Sequence, residues 1–308
     1  MTESTLHATP RLREVLRAQI RAVALSLRLP LQVTAALASV ATVLVIGERV
    51  TGGGRVDFAP ELSMVPGVVG MLFPIGVWRG EDRFGSGFLW TLPVDRSRHA
   101  LVKVTAGWAC LMAAVAFFVI WFLLLALLTG GNILGAQTLQ LLPSADVPVA
   151  GTLAPTMLRA VRWSPTPLLW LVPFTAATGM YVLSSALALA TRYPWRWLIG
   201  LFLAALLASA IGSAGHVDWL RLGLARVFKS FHEGTYGLDA LLSARAESLK
   251  TLATLSNGET VNVWRGLPDI GHWAAATLLW TGVGALTLAA ALARHRERRR
   301  ASASPTSS

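Results

Sequence analysis

Charged side chains and cysteine are scarce in this chain. Charged residues make up 14% of its 308 residues, compared with about 25% in soluble domains. The single cysteine, Cys110, excludes an intrachain disulfide and a metal site built from several cysteines. With 54% hydrophobic residues, the composition indicates a protein whose core packs in lipid.

Acidic residues are fewer than basic ones, 16 against 27, which gives a formal net charge of +11. A basic chain can bind nucleic acid, but these lysines and arginines lie beside apolar stretches and have no aromatic stacking platform among them. We therefore expect the basic side chains to face membrane surfaces, and we expect no nucleic-acid partner.

Recognisable catalytic motifs are also missing. The sequence contains no H-E-x-x-H, no G-x-S-x-G and no phosphate-binding G-x-x-x-x-G-K-[ST] loop. His216 and Asp218 form a close pair of a histidine and an acid, but such a pair on a loop is more typical of a turn than of a metal or catalytic site. We therefore expect neither an enzyme nor a cofactor or metal bound to this chain.

Six charge-free apolar stretches dominate the rest of the sequence. Each has 17 to 25 residues and, at about 1.5 Å per helical residue, reaches or nearly reaches across roughly 30 Å of hydrocarbon. They predict a single all-α membrane domain, residues 29–293, with spans at about 29–47, 62–78, 104–128, 168–191, 197–215 and 273–293.

The distribution of basic residues predicts how these spans are oriented. If the spans alternate, residues 1–28, 79–103, 192–196 and 294–308 lie on one side and contain 17 of the 27 lysines and arginines. Because cytoplasmic flanks retain basic residues, we expect both termini in the cytoplasm and a plasma membrane of bacterial type. The first stretch follows five arginines without a small-residue cleavage site, so we interpret it as a retained helix.

Residues 1–28 contain an amphipathic pattern of their own. Apolar residues at spacings of three and four predict one helical stripe: Leu12, Leu16, Ile20, Val23 and Leu27. Arg13, Arg17 and Arg21 form a basic stripe beside it. We expect this helix to lie in the headgroup layer, with its apolar side chains in acyl chains and its arginines at lipid phosphates, before a turn at Pro30. The alternative is a helix packed against a partner protein.

The segment between the second and third stretches is short and patterned. Charged residues open it: Glu81, Asp82 and Arg83. Apolar residues at helical spacing follow: Phe84, Phe88, Leu89 and Leu92. Pro93 then ends the pattern before a basic run of Arg96, Arg98 and Lys103. We predict a short amphipathic helix on the cytoplasmic side, where exposed aromatic residues are typical of a protein or membrane contact.

At these residues the chain resembles the permease subunits of ABC-2 type transporters. In that family the segment has an acidic residue, a short helix of small and apolar residues, and then Pro-Val-Ser-Arg with basic residues before the third span. The counterparts here are Glu81, residues 85–92, Pro93, Val94, Arg96 and Lys103. Asp95 stands where the family usually has Ser or Thr, and this departure leaves the turn geometry open.

The resemblance implies the membrane-spanning subunit of an ATP-driven exporter that works with a second permease copy or a homologous permease. Residues 81–96 would include its coupling helix and contact a separate ABC ATP-binding subunit, which binds ATP and magnesium. A physical argument points the same way, because the six stretches lack the ionisable side chains that ion-driven transporters place in the membrane. The alternative is a non-transporting scaffold or sensor that anchors a cytoplasmic partner.

Two long segments are expected on the outer side. Residues 129–167 are rich in glycine, proline and small residues, and we interpret them as a loop or re-entrant connector. Residues 216–271 contain two helical patterns, from Leu220 to Phe231 and from Leu238 to Leu252, which are expected to lie across the outer face. The basic and Ser-rich residues 294–308 predict a disordered cytoplasmic tail.

Overall fold

The computed structural model describes residues 12–57, 63–78, 96–133, 135–142, 152–191, 231–245, 251–256, 258, 260–264 and 266–302, with isolated positions between 193 and 230. Within these residues the chain is mostly helical, and a β-sheet lies at one end of the helices. Four helices are long and apolar enough to cross a membrane. The expectation of a helical membrane protein is confirmed at this level.

The helices follow the apolar stretches of the sequence. In chain order they are α1 (Leu12–Ser26), α2 (Arg28–Gly52), α3 (Met64–Val77), α4 (Arg96–Thr129), α5 (Val172–Ala190), α6 (Leu238–Ser243) and α7 (Ile270–Ser302). The four candidate spans lie in α2, in α4, in α5 together with the 3-10 turn Pro167–Leu171 before it, and in α7.

Only Leu27 separates α1 from α2. Pro30 lies in the first turn of α2, where the missing backbone N–H of proline needs no partner within the helix. The expected turn at Pro30 is therefore wrong, and the break between the helices is at Leu27. α2 ends at Gly53, whose φ of 70° lets the chain leave the helix in a left-handed conformation.

The buried clusters define two ends of the helix bundle. At the sheet end, Phe122 near the end of α4 packs with Val172 and Trp273 at the beginnings of α5 and α7. At the opposite end, which carries the basic residues and is called the basic end, Ala100 near the beginning of α4 shares a cluster with Ala188 near the end of α5 and Leu288 in the second half of α7. α4 is therefore antiparallel to both α5 and α7.

The connection between α2 and α3 lies at the sheet end. The backbone N–H of Val56 donates a hydrogen bond of 3.1 Å to Thr129 Oγ1, and the N–H of Asn132 donates one of 2.7 Å to the carboxylate of Asp57. α3 then runs back to the basic end, where Val77 joins the same buried cluster as Ala100 and Leu288. Helices α2, α3, α4 and α5 thus alternate in direction.

A five-stranded sheet covers the sheet end. Its strands are β1 (Gln137–Leu141), β2 (Thr152–Leu153), β3 (Arg159–Trp163), β4 (Thr251–Leu255) and β5 (Thr260–Trp264), in the order β2-β4-β5-β1-β3. β1 pairs antiparallel with β3 and parallel with β5, so the sheet joins the two long segments that were expected on one side of the membrane. The loop expected within 129–167 and the helix expected around Leu252 are wrong at these strands.

The expected spans are found in part. α3 has 14 residues, fewer than the roughly 20 that a straight helix needs to cross the hydrocarbon. α4 begins at Arg96 and so includes the basic residues before the third apolar stretch. α7 continues to Ser302, so residues 294–302 are helical where a disordered tail was predicted. The span expected at 197–215 lies almost wholly outside the described residues.

Candidate functional site

The residues predicted to contact an ATPase lie mainly outside the described part of the chain. These are Glu81, Asp82, Arg83, Phe84, Phe88, Leu89, Leu92 and Pro93. Arg96 is the first residue of α4. The structure does describe the two helices that residues 79–95 connect, and the contacts of those helices define what a movement of this segment would act on.

A contact between Trp78 and Lys103 joins α3 and α4 at the ends that residues 79–95 connect. The ammonium group of Lys103 lies 5.0 Å from the centre of the Trp78 ring. The two residues are 5% and 3% exposed, so this cation–π contact is shielded from solvent and stronger than one at a surface. Ser97 and Ala100 are buried in the same region of α4. We call Trp78, Ser97, Ala100 and Lys103 the basic-end clamp.

α1 packs against the helices that carry this clamp. The three arginines of its predicted basic stripe are exposed: Arg13, Arg17 and Arg21. Val23 and Leu27 are buried, and Leu16 and Ile20 pack against the same core cluster, which includes residues of α3, α4, α5 and α7. The described residues of the apolar stripe of α1 therefore contact helices of their own chain, which present a continuous apolar surface to them.

Close contacts hold α3, α4 and α5 together as one unit. The hydroxyl of Tyr181 on α5 donates a hydrogen bond of 2.8 Å to the backbone carbonyl of Val104 on α4. Gly70 on α3 lies so close to the backbone of Ala177 on α5 that a Cβ atom at this position would collide with it. In a membrane, where packing rather than hydrophobic burial joins helices, such small-residue contacts determine how closely helices approach.

An apolar groove lies between α2 and the pair α3 and α4. Two adjoining cavities of about 650 Å³ and 360 Å³ form it. Residues that line both cavities include Leu31 from α2, Val65 and Phe73 from α3, and Ala114 and Phe118 from α4. No lining residue of either cavity carries a carboxylate, ammonium, guanidinium or imidazole group. We call this space the lateral groove.

α2 stands apart from the rest of the bundle. The apolar window of its span is 0% buried, compared with 50% for the span that contains α5. One hydrogen bond that connects it to α4 is donated by Trp121 Nε1 to Thr42 Oγ1, with a length of 2.9 Å. An aromatic N–H that finds a threonine partner in this way avoids leaving a polar atom unpaired in lipid.

One geometric relationship connects the lateral groove to the predicted coupling segment. α3 and α4, which form one wall of the groove, are the helices that residues 79–95 connect. Their basic ends are joined by the clamp, and the close packing of Gly70 and Tyr181 joins both helices to α5. These contacts join α3, α4 and α5 along the wall of the lateral groove.

A polar site, separate from the lateral groove, lies in the half of the bundle near the sheet. The short helix α6 is inserted among α3, α5 and α7, and Ala240 and Leu241 are fully buried there. The turn before α6 is held on α7 by Trp280, whose Nε1 donates a hydrogen bond of 2.9 Å to the carbonyl oxygen of Tyr236. Trp280 is ten residues into α7, about 15 Å from its beginning. We call residues 231–245 the inserted segment.

The inserted segment carries a buried carboxylate. His232 Nδ1 lies 2.8 Å from Asp239 Oδ1; the side chain of His232 is 43% exposed and that of Asp239 only 3%. The second carboxylate oxygen, Oδ2, is buried and has no hydrogen-bond partner among the described residues. Burial raises the pKa of Asp239; the hydrogen bond and charge of His232 and the charge of Arg245 act in the opposite direction, while Glu233 adds to the increase.

A buried arginine lies at the end of the same segment. Arg245 is 2% exposed, and its guanidinium carbon lies 3.5 Å from the centre of the Trp264 ring in β5. Arginine is suited to this stacking because its guanidinium is planar and weakly hydrated. The contact joins the inserted segment to the sheet.

The sequence analysis did not identify His232, Asp239 or Arg245. It singled out His216 and Asp218, which lie outside the described residues. A sequence feature that indicates the site is a single aspartate in the otherwise mostly apolar run Leu-Asp-Ala-Leu-Leu, seven residues after a histidine. In the part of the chain that the structure describes, no group of three or more His, Cys, Asp or Glu residues is placed to hold a metal ion.

Comparison of the chain with protein-family models, with curated proteins and with solved structures finds no match. The resemblance of residues 81–103 to ABC-2 type permeases therefore remains a prediction from those residues.

Proposed function

We propose that this chain is the membrane-spanning permease subunit of an ATP-driven exporter of the ABC-2 type. In this proposal residues 81–96 contact a separate ATP-binding subunit, and the lateral groove forms part of the substrate path. The observation that carries the proposal is that α3 and α4 are both the helices connected by residues 79–95 and one wall of the groove.

The proposed topology has six crossings, with both termini in the cytoplasm and the sheet outside a bacterial plasma membrane. The directions of the helices support it. α5 reaches the basic end at Ala190, while the inserted segment returns to the sheet end, where the N–H of Asp269 donates to the carbonyl of Ala244. The apolar residues 197–215 lie between these points in the sequence, and in the proposed topology they form the fifth crossing. α3 would be a short crossing in a locally thinned bilayer.

The proposed mechanism is mechanical. ATP binding closes two partner subunits, and residues 81–96 transmit the closure to α3 and α4 at the basic-end clamp. Because close contacts attach these helices to α5, the wall moves relative to α2, which has few contacts with the bundle. The groove then opens or closes, and a second permease would complete the path on the exposed side of α2. The apolar lining of the lateral groove favours an apolar or amphipathic substrate.

Copurification tests the proposal. The chain is purified from its native membrane, and the ATP-binding subunit that copurifies is compared between the variant Phe88→Asp with Leu89→Asp and the variant Ala301→Asp with Ser302→Asp, which adds the same two charges at the basic end of α7. We expect the first pair to remove the ATPase and the second pair to retain it. Equal copurification of both variants would contradict the assignment of residues 81–96.

Transport by the reconstituted complex separates the exporter from the scaffold. An exporter shows ATP hydrolysis that rises when its substrate is added, together with ATP-dependent movement of that substrate into inside-out vesicles. A complex that assembles through residues 81–96 but moves none of a panel of lipids, peptides, drugs and glycans would favour a scaffold or sensor.

A further inference from the structure

The inserted segment places ionisable groups beside helices whose apolar stretches contain no Asp, Glu, Lys, Arg or His. Leu241 of α6 packs against Gly179, seven residues into α5, and Trp280 on α7 contacts both Phe231 and Tyr236. These contacts put residues 231–242 in the sheet-end half of the helices, roughly 10–15 Å from the beginnings of α5 and α7. A carboxylate at such a depth is costly and is expected to have a function.

We propose that His232 and Asp239 form a proton-binding site, and that uptake of a proton from the medium on the sheet side holds the inserted segment in place between α3, α5 and α7. The proposal concerns this site alone and does not depend on the exporter assignment.

The geometry of the pair suits proton exchange with water. Asp239 is buried, and its Oδ2 has no hydrogen-bond partner among the described residues, so the carboxylate has lost most of its hydration. His232 is hydrogen-bonded to the other oxygen and is 43% exposed. The imidazole thus connects solvent to the buried carboxylate, and histidine is the side chain that ordinarily exchanges protons between about pH 5 and pH 8.

Few other charges act on the site. Glu233 and Arg245 lie in the inserted segment with Asp239, one opposing and one favouring its ionised form. The helices packed on α6 contribute no Asp, Glu, Lys or Arg: α3 and α5 contain none, and the first twelve residues of α7 contain only His272, in its first turn. Tyr181 of α5 donates its hydroxyl hydrogen to Val104 of α4. Among the described residues, protonation of the pair is therefore the main change of charge available at this site.

The sign of the effect follows from the buried charge. Without a bound proton, the pair carries one negative charge in an apolar surrounding, which favours withdrawal of the inserted segment into water. With a proton bound, on Asp239 or shared as an imidazolium–carboxylate pair, the net charge is cancelled and the inserted position is stabilised. Acidification should therefore close the segment against the bundle, and alkalinisation should loosen it.

The proposal is tested by thiol labelling of the purified full-length protein in detergent. Cys110 is replaced by alanine, and Ser243→Cys provides a reporter thiol on α6. The native Ser243 is 5% exposed. Tyr236→Cys, at a residue that is 60% exposed, provides the matched control for the intrinsic pH dependence of a thiol. The measured quantity is the labelling rate at Ser243→Cys divided by that at Tyr236→Cys.

We expect this ratio to rise with pH, by at most about tenfold per pH unit, the steepest change that one titrating group gives. In Asp239→Asn, which keeps a hydrogen-bond acceptor for His232 but cannot ionise, the ratio should stay low at every pH. Two results would overturn the proposal: a labelling ratio that does not change with pH in the protein that retains Asp239, or a pH dependence of this ratio that persists in Asp239→Asn.

A second variant keeps the test decisive if Asp239→Asn does not fold. His232→Gln retains a hydrogen-bond donor but cannot bind a proton near neutral pH. We expect the midpoint of the labelling transition to move toward acid, because Asp239 must then take up the proton alone. An unchanged midpoint would show that the pair is not the proton-binding site.

Discussion

The ammonium group of Lys103 lies 5.0 Å from the centre of the Trp78 ring, and both residues are buried. This contact connects the residue that follows α3 to the second turn of α4. Residues 79–95 form the connection between these two helices, so any force on that segment reaches a joined pair of helices. In the proposed permease, transmission of movement from residues 79–95 to α3 and α4 depends on this contact.

Loss of the Lys103 charge should uncouple ATP hydrolysis from substrate binding without dissociating the complex. A buried cation–π contact contributes ~1 kcal/mol or more, so Lys103→Met should lower substrate-stimulated ATP hydrolysis about fivefold while copurification with the ATPase is unchanged. Lys103→Arg, which keeps the cation, should restore most of the activity. Arg98→Met, at an exposed residue one turn earlier, is the control and should have little effect.

Replacement of Gly70 should separate α3 from α5. A Cβ atom at Gly70 would collide with the backbone of Ala177, whereas one at Gly282 on α7 meets no atom within 4 Å. We expect Gly70→Ala to lower the free energy of unfolding by about 1–3 kcal/mol, visible as a lower midpoint of thermal unfolding in detergent. Gly282→Ala should leave the midpoint unchanged or raise it slightly. Equal midpoints for the two variants would contradict the close packing of α3 on α5.

The pH dependence of stability should report the buried carboxylate. Burial raises the pKa of Asp239 in the folded protein, so the folded state binds a proton more tightly than the unfolded chain does. The stability from this site is complete below the ordinary pKa of aspartate and is lost as the pH rises through the raised value. Asp239→Asn should therefore unfold a few degrees higher than the native protein at neutral pH, and the difference should shrink toward acid. A variant that is less stable than the native protein at neutral pH would contradict this.

Labelling in intact cells tests the topology. In a Cys110→Ala background, Ala160→Cys on the exposed strand β3 should react with a membrane-impermeant thiol reagent from outside. Ser86→Cys, in the segment proposed to be cytoplasmic, should react only after the membrane is permeabilised. Labelling of Ser86→Cys in intact cells would place the predicted coupling segment outside the cell and contradict the proposed topology.

Local patterns predicted the helices well and the sheet poorly. An unbroken apolar run such as Val104–Leu128 indicates a membrane helix by itself, because its backbone groups are satisfied within the helix. β1 and β5, by contrast, pair across more than a hundred residues, whereas β4 and β5 form a local antiparallel pair whose Asn-Gly signal at 257–258 the helical interpretation overlooked. Residues with loop-like composition between 129 and 167 thus form strands once a distant partner is available.

The polar site was missed for a related reason. Asp239 is one acid in an otherwise apolar turn, and its spacing from His232 does not correspond to a known catalytic motif. Its depth arises from the packing of α6 against Gly67 and Gly179, where the absence of side chains leaves room for Leu242 and Leu241. Burial of this kind depends on the approach of three helices, which no local pattern in the sequence reports.

Photocrosslinking from residue 88 identifies the protein that contacts the predicted coupling helix. A photoreactive amino acid replaces Phe88 in the full-length chain, the complex is irradiated in the cell membrane, and the attached polypeptide is identified by mass spectrometry. The account predicts one main adduct, with a protein that contains the phosphate-binding motif G-x-x-x-x-G-K-[ST]. Adducts only with lipid, with this chain itself or with proteins that lack the motif would contradict it.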